Sequence, residues 1–502
     1  MIRVRFAPSP TGYLHIGSAR TAFFNWLFAK SQNRKFILRI EDTDAARHME
    51  ETIEMILESL KWMGITWDEG PDIGGSFAPY RQSQRTSIYI EAAEKLIKSG
   101  HAYMCFCSPE TLEKKRTDAA GRNEYFKYDR HCLGLSGEEV NRNINANVPY
   151  AIRLSIPDNI DIVFTDTVYG EIKVSTQAID DFIIIRSNGL PVYNFSAAVD
   201  DIMMEITHVI RGEDHLSNTP KQILVYKALG KELPVFTHLP MILGSDGQKL
   251  SKRHGSISIE SYRDEGFLPE AIQNYLALLG WAYDEKTTIF SLEELVGKFS
   301  LETINKKPAQ FDYEKLLWMN GNYIRNTDDK TIALLLAKRF FEDDEKLKAL
   351  KTKGLKITID PPEIDKIIPI MLKITPFIKE RLKTLNDADN LTASFFNEII
   401  YTDELKNYFA GKKNEALGIL TDAAIQLEES GDFNAAEIEA VLRKIPQKYD
   451  VNFRRVAEVL RIAVWGSKVS PPLFGAIEVM GKQTAVCRIN KYIDILKSIP
   501  EN

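Results

Sequence analysis

Apolar and polar residues change their spacing from one end of the chain to the other, and the first forty residues carry the clearest signal. Arg3 to Ala7 alternates charged and apolar residues before Pro8, as a strand running into a loop does. Ser9-Pro10-Thr11-Gly12-Tyr13 is turn chemistry. From Gly17 onward, Ala19, Ala22, Phe23, Trp26, Leu27 and Ala29 recur at intervals of three and four, which predicts a helix. Phe36 to Ile40 reads as a second, buried strand. Strand, loop, helix and parallel strand in this order open a doubly wound α/β domain. Such domains bind ligands beyond the carboxyl ends of their strands, which places Ala7 to Ile16 at a site.

Further strand candidates follow at Phe182 to Arg186, Ile206 to Arg211 and Met241 to Leu243. Between the two sets, roughly residues 100 to 180 differ in character. They hold Cys105, Cys107 and Cys132, a Lys-rich helix candidate at Pro109 to Arg116, and strand-like runs such as Ala151 to Ile156. An insertion between two halves of a nucleotide-binding sheet is the expected arrangement. After residue 260 the pattern is helical, with amphipathic stretches at Pro269 to Leu279, Lys330 to Phe341, Glu415 to Glu429 and Ala435 to Lys444. No internal repeat or low-complexity segment is visible.

Composition sharpens this picture. A chain of 502 residues, 44% hydrophobic and 27% charged, is too long for one core and too well mixed for disorder. Its 64 basic and 70 acidic residues leave a formal charge of -6, which excludes a uniformly basic coat. The total hides an asymmetry. Residues 443 to 497 hold eleven basic residues against four acids, whereas 401 to 440 hold three against nine. The first stretch reads either as a solvated helical surface or as a basic face for a polyanion. Four cysteines in this length are no secreted disulfide framework and point to a reducing compartment. The opening residues have no apolar core of signal-peptide length, and Phe182 to Ile185 and Ile367 to Leu372 are too short to cross a bilayer. The expectation is a cytoplasmic protein with no membrane partner.

Two segments carry candidate chemistry. Pro8-Ser9-Pro10-Thr11-Gly12-Tyr13-Leu14-His15-Ile16-Gly17-Ser18 lies where the first strand hands over to the first helix, where free N–H groups and the helix dipole suit phosphates. His15 can donate to a phosphate oxygen and Thr11 can add a hydroxyl, while Gly17 lets the backbone come close to a nucleotide. A histidine alone before a helix is more often structural, so the reading needs a partner. Gly244-Ser245-Asp246-Gly247-Gln248-Lys249-Leu250-Ser251-Lys252-Arg253-His254-Gly255 supplies one: a glycine-bounded loop with Lys249, Lys252 and Arg253. It reads either as an ordinary basic surface loop or as a mobile clamp on a triphosphate, with Lys249 and Lys252 stabilising charge as pyrophosphate leaves.

The segment around His15 resembles the HIGH signature of class I aminoacyl-tRNA synthetases, and Lys249-Leu250-Ser251-Lys252-Arg253 resembles their KMSKS signature. Arg39-Ile40-Glu41-Asp42-Thr43-Asp44, Trp67-Asp68-Glu69-Gly70-Pro71, Tyr193-Asn194-Phe195 and Val209-Ile210-Arg211-Gly212-Glu213-Asp214-His215 narrow the likeness to bacterial-type glutamyl-tRNA synthetases, densely over residues 1 to 325. Ser18 is a departure, since the four-letter signature has a second histidine there.

The resemblance implies a Rossmann-like doubly wound parallel sheet in two halves, 1–100 and 186–258, the second carrying the lysine loop. It implies an inserted acceptor-end-binding domain at 101–185, a stem-contact domain at 259–325, and an all-α anticodon-binding part at 326–502. ATP would lie against Pro8, Ser9, Thr11, His15, Gly17 and Ser18, and against Lys249, Leu250, Ser251, Lys252 and Arg253, with Mg²⁺ balancing phosphate charge. Glutamate brings two carboxylates and one ammonium, and the strand ends offer Arg5, Arg211 and Glu41 to meet them. By resemblance, Arg5 with Tyr193 holds the side-chain carboxylate and Arg211 the main-chain carboxylate side. Glu41 with Ser9 takes the ammonium, and Ala7 lies alongside.

The implied reaction is two-step: glutamyl-adenylate and pyrophosphate form first, then the terminal ribose of tRNA(Glu) takes the glutamyl group and AMP leaves. His15, Lys249 and Lys252 are the expected catalytic residues, in a monomer. An enzyme that also charges tRNA(Gln) and a catalytically silent tRNA-binding paralogue are the alternative readings. Members of this family can bind a structural zinc where Cys105, Cys107 and Cys132 stand. Three thiolates need a fourth ligand. The usual histidine two residues past the third cysteine is replaced by Gly134, which leaves Tyr128 or His131 as a Zn²⁺ ligand, or free thiols from a lost site.

Overall fold

The computed structural model describes residues 2–43, 49–123, 126–251, 258–341, 364–396 and 398–500. The chain forms two compact units, one of residues 1–264 with 269–313, the other of 265–268 with 314–502.

In the first unit, β1 (Arg3–Phe6), α1 (Ile16–Ser31) and β2 (Lys35–Leu38) make the expected unit, with β1 and β2 parallel and Arg5 opposite Ile37. The helix is more buried than its stripe predicts. Arg20, Phe24, Asn25 and Phe28 are also buried, because α1 is covered on all sides. Arg20 donates to Leu279 O and Pro240 O, and Asn25 to Ile210 O, so backbone carbonyls take the terminal donors of the far face, while Arg20 Nε and Asn25 Oδ1 are buried with no partner among the described residues. Helices α2 (Met49–Trp62) and α3 (Thr86–Lys98) follow.

Next come β3 (Ala102–Cys105), α4 (Pro109–Gly121), α5 (Gly137–Asn145), β4 (Ala151–Leu154), β5 (Asp161–Asp166), β6 (Gly170–Ser175) and β7 (Ile183–Ile185). Strands β3, β4 and β7 form one antiparallel sheet. The apolar run at 182–186 therefore closes the sheet of the middle segment instead of joining the parallel one. Short apolar runs carry no mark of their partner, which is why the pattern alone did not separate the two outcomes.

Then follow α6 (Tyr193–Met203), β8 (His208–Gly212), α7 (Thr219–Ala228), β9 (Val235–Leu239) and β10 (Ile242–Leu243). Strands β8 and β9 are parallel, and β5 joins β9 through Asp166 opposite Phe236. Thr207 N–H donates to Arg3 O, and Val235 N–H to Thr207 O, so the lead into β8 is stitched to β1 on one side and β9 on the other. The strand order thus reverses between β1 and β8. A crevice opens at the carboxyl ends on either side of such a reversal.

The second unit is helical throughout its described residues. Helices at Lys413–Glu429, Ala435–Leu442, Phe453–Trp465, Leu473–Met480 and Lys482–Ser498 enclose a core that includes Ile419, Leu420, Leu427, Val459, Leu460, Ile489 and Tyr492. Gly466 ends the third of these in a left-handed conformation, φ 71°, the usual role of glycine past a helix end. No helix among the described residues is long and apolar enough to cross a membrane.

Candidate active site

A cleft of about 1010 Å³ opens at the strand reversal. One wall is the loop between β1 and α1, where Ala7, Pro8, Ser9 and Thr11 line it ahead of His15, Gly17 and Ser18. His15 is the N-cap of α1: its Nδ1 accepts the backbone N–H of Gly17 at 3.1 Å and of Ser18 at 3.3 Å. Accepting at Nδ1 leaves the imidazole proton on Nε2, which lies 3.0 Å from Ser18 Oγ. Burial, and Lys249 nearby, hold the His15 pKa below the usual range, so the ring is a neutral donor at neutral pH. Gly17 has a reason beyond closeness to a ligand. A Cβ there would sit 3.1 Å from His15 Cε1 and press on the ring. Ser18, which departs from the family signature, makes a direct contact with the capping histidine.

The opposite wall comes from the lysine loop. Gly244 N–H donates to Gln248 O and Leu250 N–H to Ile242 O, with Gly247 at φ 73° completing the turn. This ties Lys249 and Leu250 to β10, and both line the cleft. Lys249 Nζ is 4.0 Å from Asp214. Ser251 follows and is not among the lining residues. Lys252 and Arg253 lie outside the described residues. On the far side of them, Ser258 pairs with His15 and Ile259 N–H donates to Leu14 O, so the loop leaves and re-enters the chain at the same cleft.

The floor holds Arg5, Glu41, Tyr193 and Arg211. Arg5, at the end of β1, donates from Nε and a terminal nitrogen to Asp201 at 3.1 and 3.3 Å. Arg39 donates to the same Asp201 at 2.7 Å and to Glu41 at 3.3 Å. Asp200 beside it takes Arg85 Nε at 2.7 Å, Gln82 at 2.8 Å and the Tyr89 hydroxyl at 2.9 Å. Three arginines and three carboxylates are thus buried together with no net charge. Burial pushes the Glu41 carboxyl up, against the pull of Arg39 and Arg5. Asp201 is held below the usual range, since Arg5 and Arg39 outweigh its burial.

Arg211, at the end of β8, has different company. Its Nε donates to His238 Nε2 at 3.2 Å and one terminal nitrogen to Thr219 Oγ1 at 2.8 Å. The other terminal nitrogen is buried with no hydrogen-bond partner. No carboxylate lies within ion-pair distance of Arg211 among the described residues, and burial lowers its pKa. The Tyr193 hydroxyl sits 2.9 Å from His215 Nδ1, and burial beside Arg211 pushes His215 down to about 4. The arrangement offers two guanidinium groups and a carboxylate on one floor, with a helix N-terminus and a lysine at the walls. That is the complement of a dicarboxylic amino acid beside a nucleotide phosphate.

Asp200, Asp201, Arg39, Thr219, His238 and Asp166 went unassigned in the sequence. The available signal was two adjacent acids, Asp200 and Asp201, in the otherwise apolar run of α6, which only internal cations could satisfy.

A second cluster lies in the middle segment. The ligand atoms of Cys105, Cys107 and Cys132 are all within 4.8 Å of one another. The Tyr128 hydroxyl lies 3.3 Å from Cys105 Sγ and 3.5 Å from Cys107 Sγ, and accepts the Cys132 N–H at 3.4 Å. His131 is exposed and outside this group, although the spacing left it as a candidate. The short 3₁₀ turn His131–Gly134 presents Cys132 inward and turns its neighbour out. Three thiols and a phenol facing one point fit a tetrahedral soft-metal site. Cys487 stands apart and exposed.

Comparison with known proteins agrees with this geometry. Residues 1–318 match the family of class I tRNA synthetases (E and Q), catalytic domain, and residues 336–493 match an anticodon binding domain. The chain is 42% identical over 500 residues to glutamate–tRNA ligase 1 of Syntrophomonas wolfei, covering 99% of this chain and 97% of that protein. It is 43% identical over 494 residues to glutamate–tRNA ligase 2 of Caldicellulosiruptor saccharolyticus, covering 98% of each. A crystal structure of a glutamate tRNA ligase from Elizabethkingia meningosepticum in complex with its amino acid superposes with a TM-score of 0.85 at 33% identity, over 98% of this chain and 99% of that one. With a doubly wound catalytic unit, a helical second unit and full-length relatives of one kind, this chain belongs to the glutamate–tRNA ligase family of class I aminoacyl-tRNA synthetases.

Proposed function

We propose that this protein activates L-glutamate with ATP and transfers it to tRNA(Glu). The observation that carries the reading is the cleft floor, where Arg5, Arg211 and Glu41 meet from three strand ends beside a histidine-capped helix. Glutamate's main-chain carboxylate attacks the α-phosphorus of ATP, whose Mg²⁺ accompanies it as part of the substrate, and pyrophosphate leaves. A ribose hydroxyl of the terminal adenosine then attacks the mixed anhydride and AMP leaves. No side-chain nucleophile is required, so positioning and charge stabilisation do the work.

In this reading His15 Nε2–H donates to a phosphate oxygen as charge grows there, exchanging Ser18 Oγ for it. Gly17 and Ser18 add backbone N–H groups, and Pro8, Ser9, Thr11 and Leu250 shape the nucleotide side. Lys249, with Lys252, Ser251 and Arg253 beyond it, stabilises the departing pyrophosphate. Arg5 and Tyr193 take the side-chain carboxylate, Arg211 the main-chain carboxylate side, and Glu41 with Ser9 the ammonium, with Ala7 alongside. The middle segment holds the acceptor end, residues 259–325 the stem and the helical unit the anticodon, in a monomer of the cytoplasm. Cys105, Cys107, Cys132 and Tyr128 would hold a Zn²⁺ that braces the middle segment. Metal analysis of purified protein near one zinc per chain is expected, and well under one removes the site.

The test is charging of tRNA(Glu) and tRNA(Gln) separately with glutamate and ATP. Glutamyl-tRNA(Glu) is expected. Tight tRNA binding with no glutamyl-tRNA formed would refute the reading, and charging of both species would widen it to the glutamine isoacceptor.

A further inference from the structure

His238 is fully buried on β9 and belongs to none of the segments that carry the synthetase reading. Its two ring nitrogens face groups of opposite kind. Nδ1 is 2.7 Å from Asp166 Oδ2, and Nε2 is 3.2 Å from the Arg211 Nε–H. Asp166 is held in place from the other side: its Oδ1 accepts the N–H groups of Val168 and Tyr169 at 2.9 Å each, and its Oδ2 also accepts the His238 backbone N–H at 3.0 Å. A carboxylate with every oxygen committed as an acceptor has no proton to give, so the Nδ1 contact needs a proton on Nδ1. Arg211 can only donate, so the Nε2 contact needs a bare Nε2. Both conditions select one species, the neutral imidazole protonated at Nδ1. Thr219 Oγ1, 3.1 Å from Nε2, takes the second Arg211 donor.

We propose that Asp166 and His238 form a tautomer lock that aims Arg211 at the carboxylate of the amino acid substrate. The lock commits two Arg211 nitrogens to neutral acceptors and leaves the third, buried and unpartnered, for the substrate. A carboxylate placed directly on Arg211 would orient it equally well but would satisfy the charge that the substrate must meet. A neutral imidazole orients the guanidinium without neutralising it. Asp166 sits at the end of β5, which pairs with β9 through Asp166 opposite Phe236, so the lock lies where the antiparallel β5–β6 hairpin joins the parallel strands of the same sheet. His238 is a positioning residue, since it touches Arg211 and not the substrate.

This inference rests on the glutamate-activating reading, and its test separates the two. ¹⁵N imidazole shifts of the intact protein, with the His238 signal assigned from the His238→Gln spectrum, should show the Nδ1–H tautomer. An Nε2–H tautomer or an imidazolium would overturn the lock whatever the protein charges. In steady-state charging of tRNA(Glu), His238→Leu should raise the glutamate KM about 10- to 100-fold and leave the ATP KM within about twofold, the loss expected for one hydrogen bond to a charged group. His238→Gln keeps an acceptor near the Nε2 position and should recover most of that rise. Equal KM rises in both variants, or a glutamate KM within twofold in His238→Leu, would overturn the proposal. Failure of the parent protein to charge glutamate at all would refute the activity instead, with the tautomer still readable. Thermal unfolding of both variants identifies one that fails to fold, in which case the tautomer decides.

Discussion

Arg5 and Arg211 lie at the ends of neighbouring strands on one cleft floor and are each 5% exposed, yet their surroundings differ in kind. Arg5 belongs to a neutral cluster: Asp201 holds it, Arg39 shares Asp201 and also reaches Glu41, and Arg85 with Asp200 completes the balance. Arg211 has a histidine nitrogen, a threonine oxygen and one nitrogen with no partner among the described residues. A substrate carboxylate at Arg5 joins a set of charges already in balance, so recognition there depends on a fixed hydrogen-bonding face. A carboxylate at Arg211 supplies a missing counterion. On the proposed reading, one arginine is built into the fold and the other is completed by the ligand, so the site can be rigid and still gain from binding.

The largest effect is expected at Arg5. An enclosed charge deprived of its partner costs about 3–5 kcal/mol, roughly a hundred- to a few-thousand-fold in use of glutamate. Arg5→Ala should therefore collapse glutamate activation and also lower the melting midpoint, because Asp201 loses one of its two cations. Activation within a few-fold of the parent would remove Arg5 from the pocket.

Arg211→Leu should raise the glutamate KM about 10- to 150-fold, the range for a charged hydrogen bond. Its melting midpoint should hold or rise, since the deleted charge has no carboxylate within ion-pair distance among the described residues. A midpoint drop as deep as that of Arg5→Ala would erase the contrast between the two.

The smallest effect is expected at Thr219, a neutral partner of Arg211. Thr219→Val removes one hydroxyl acceptor from the charged guanidinium, at the weak end of the range for such bonds, about 1.5 kcal/mol or roughly a tenfold rise in glutamate KM. An unchanged KM would mean that His238 alone aims Arg211.

Much of this was legible in one dimension. The βαβ start, the helix that follows Pro8 to His15, and the helical character after residue 260 all follow from period and turn residues, which act locally. Arg5, Glu41 and Arg211 could be named because the carboxyl ends of strands in a doubly wound sheet are where ligands go. Ser18 could only be marked as unusual, and its hold on His15 needed the turn of helix between them.

Other features depended on distance in space. The strand at Ile183–Ile185 found its sheet through β4, a partner that apolar composition does not encode. Tyr128 faces the thiols and His131 does not, because the 3₁₀ turn His131–Gly134 turns Cys132 in and His131 out. Asp166 and His238 are 72 residues apart, and nothing near either one marks it. Local pattern is written by the chain's own period, so the sequence alone determines which segments become strands and helices. Which charges meet is a matter of tertiary packing: burial makes an unpaired polar group costly, and its partner, where it has one, comes from wherever the fold brings a group within about 3 Å.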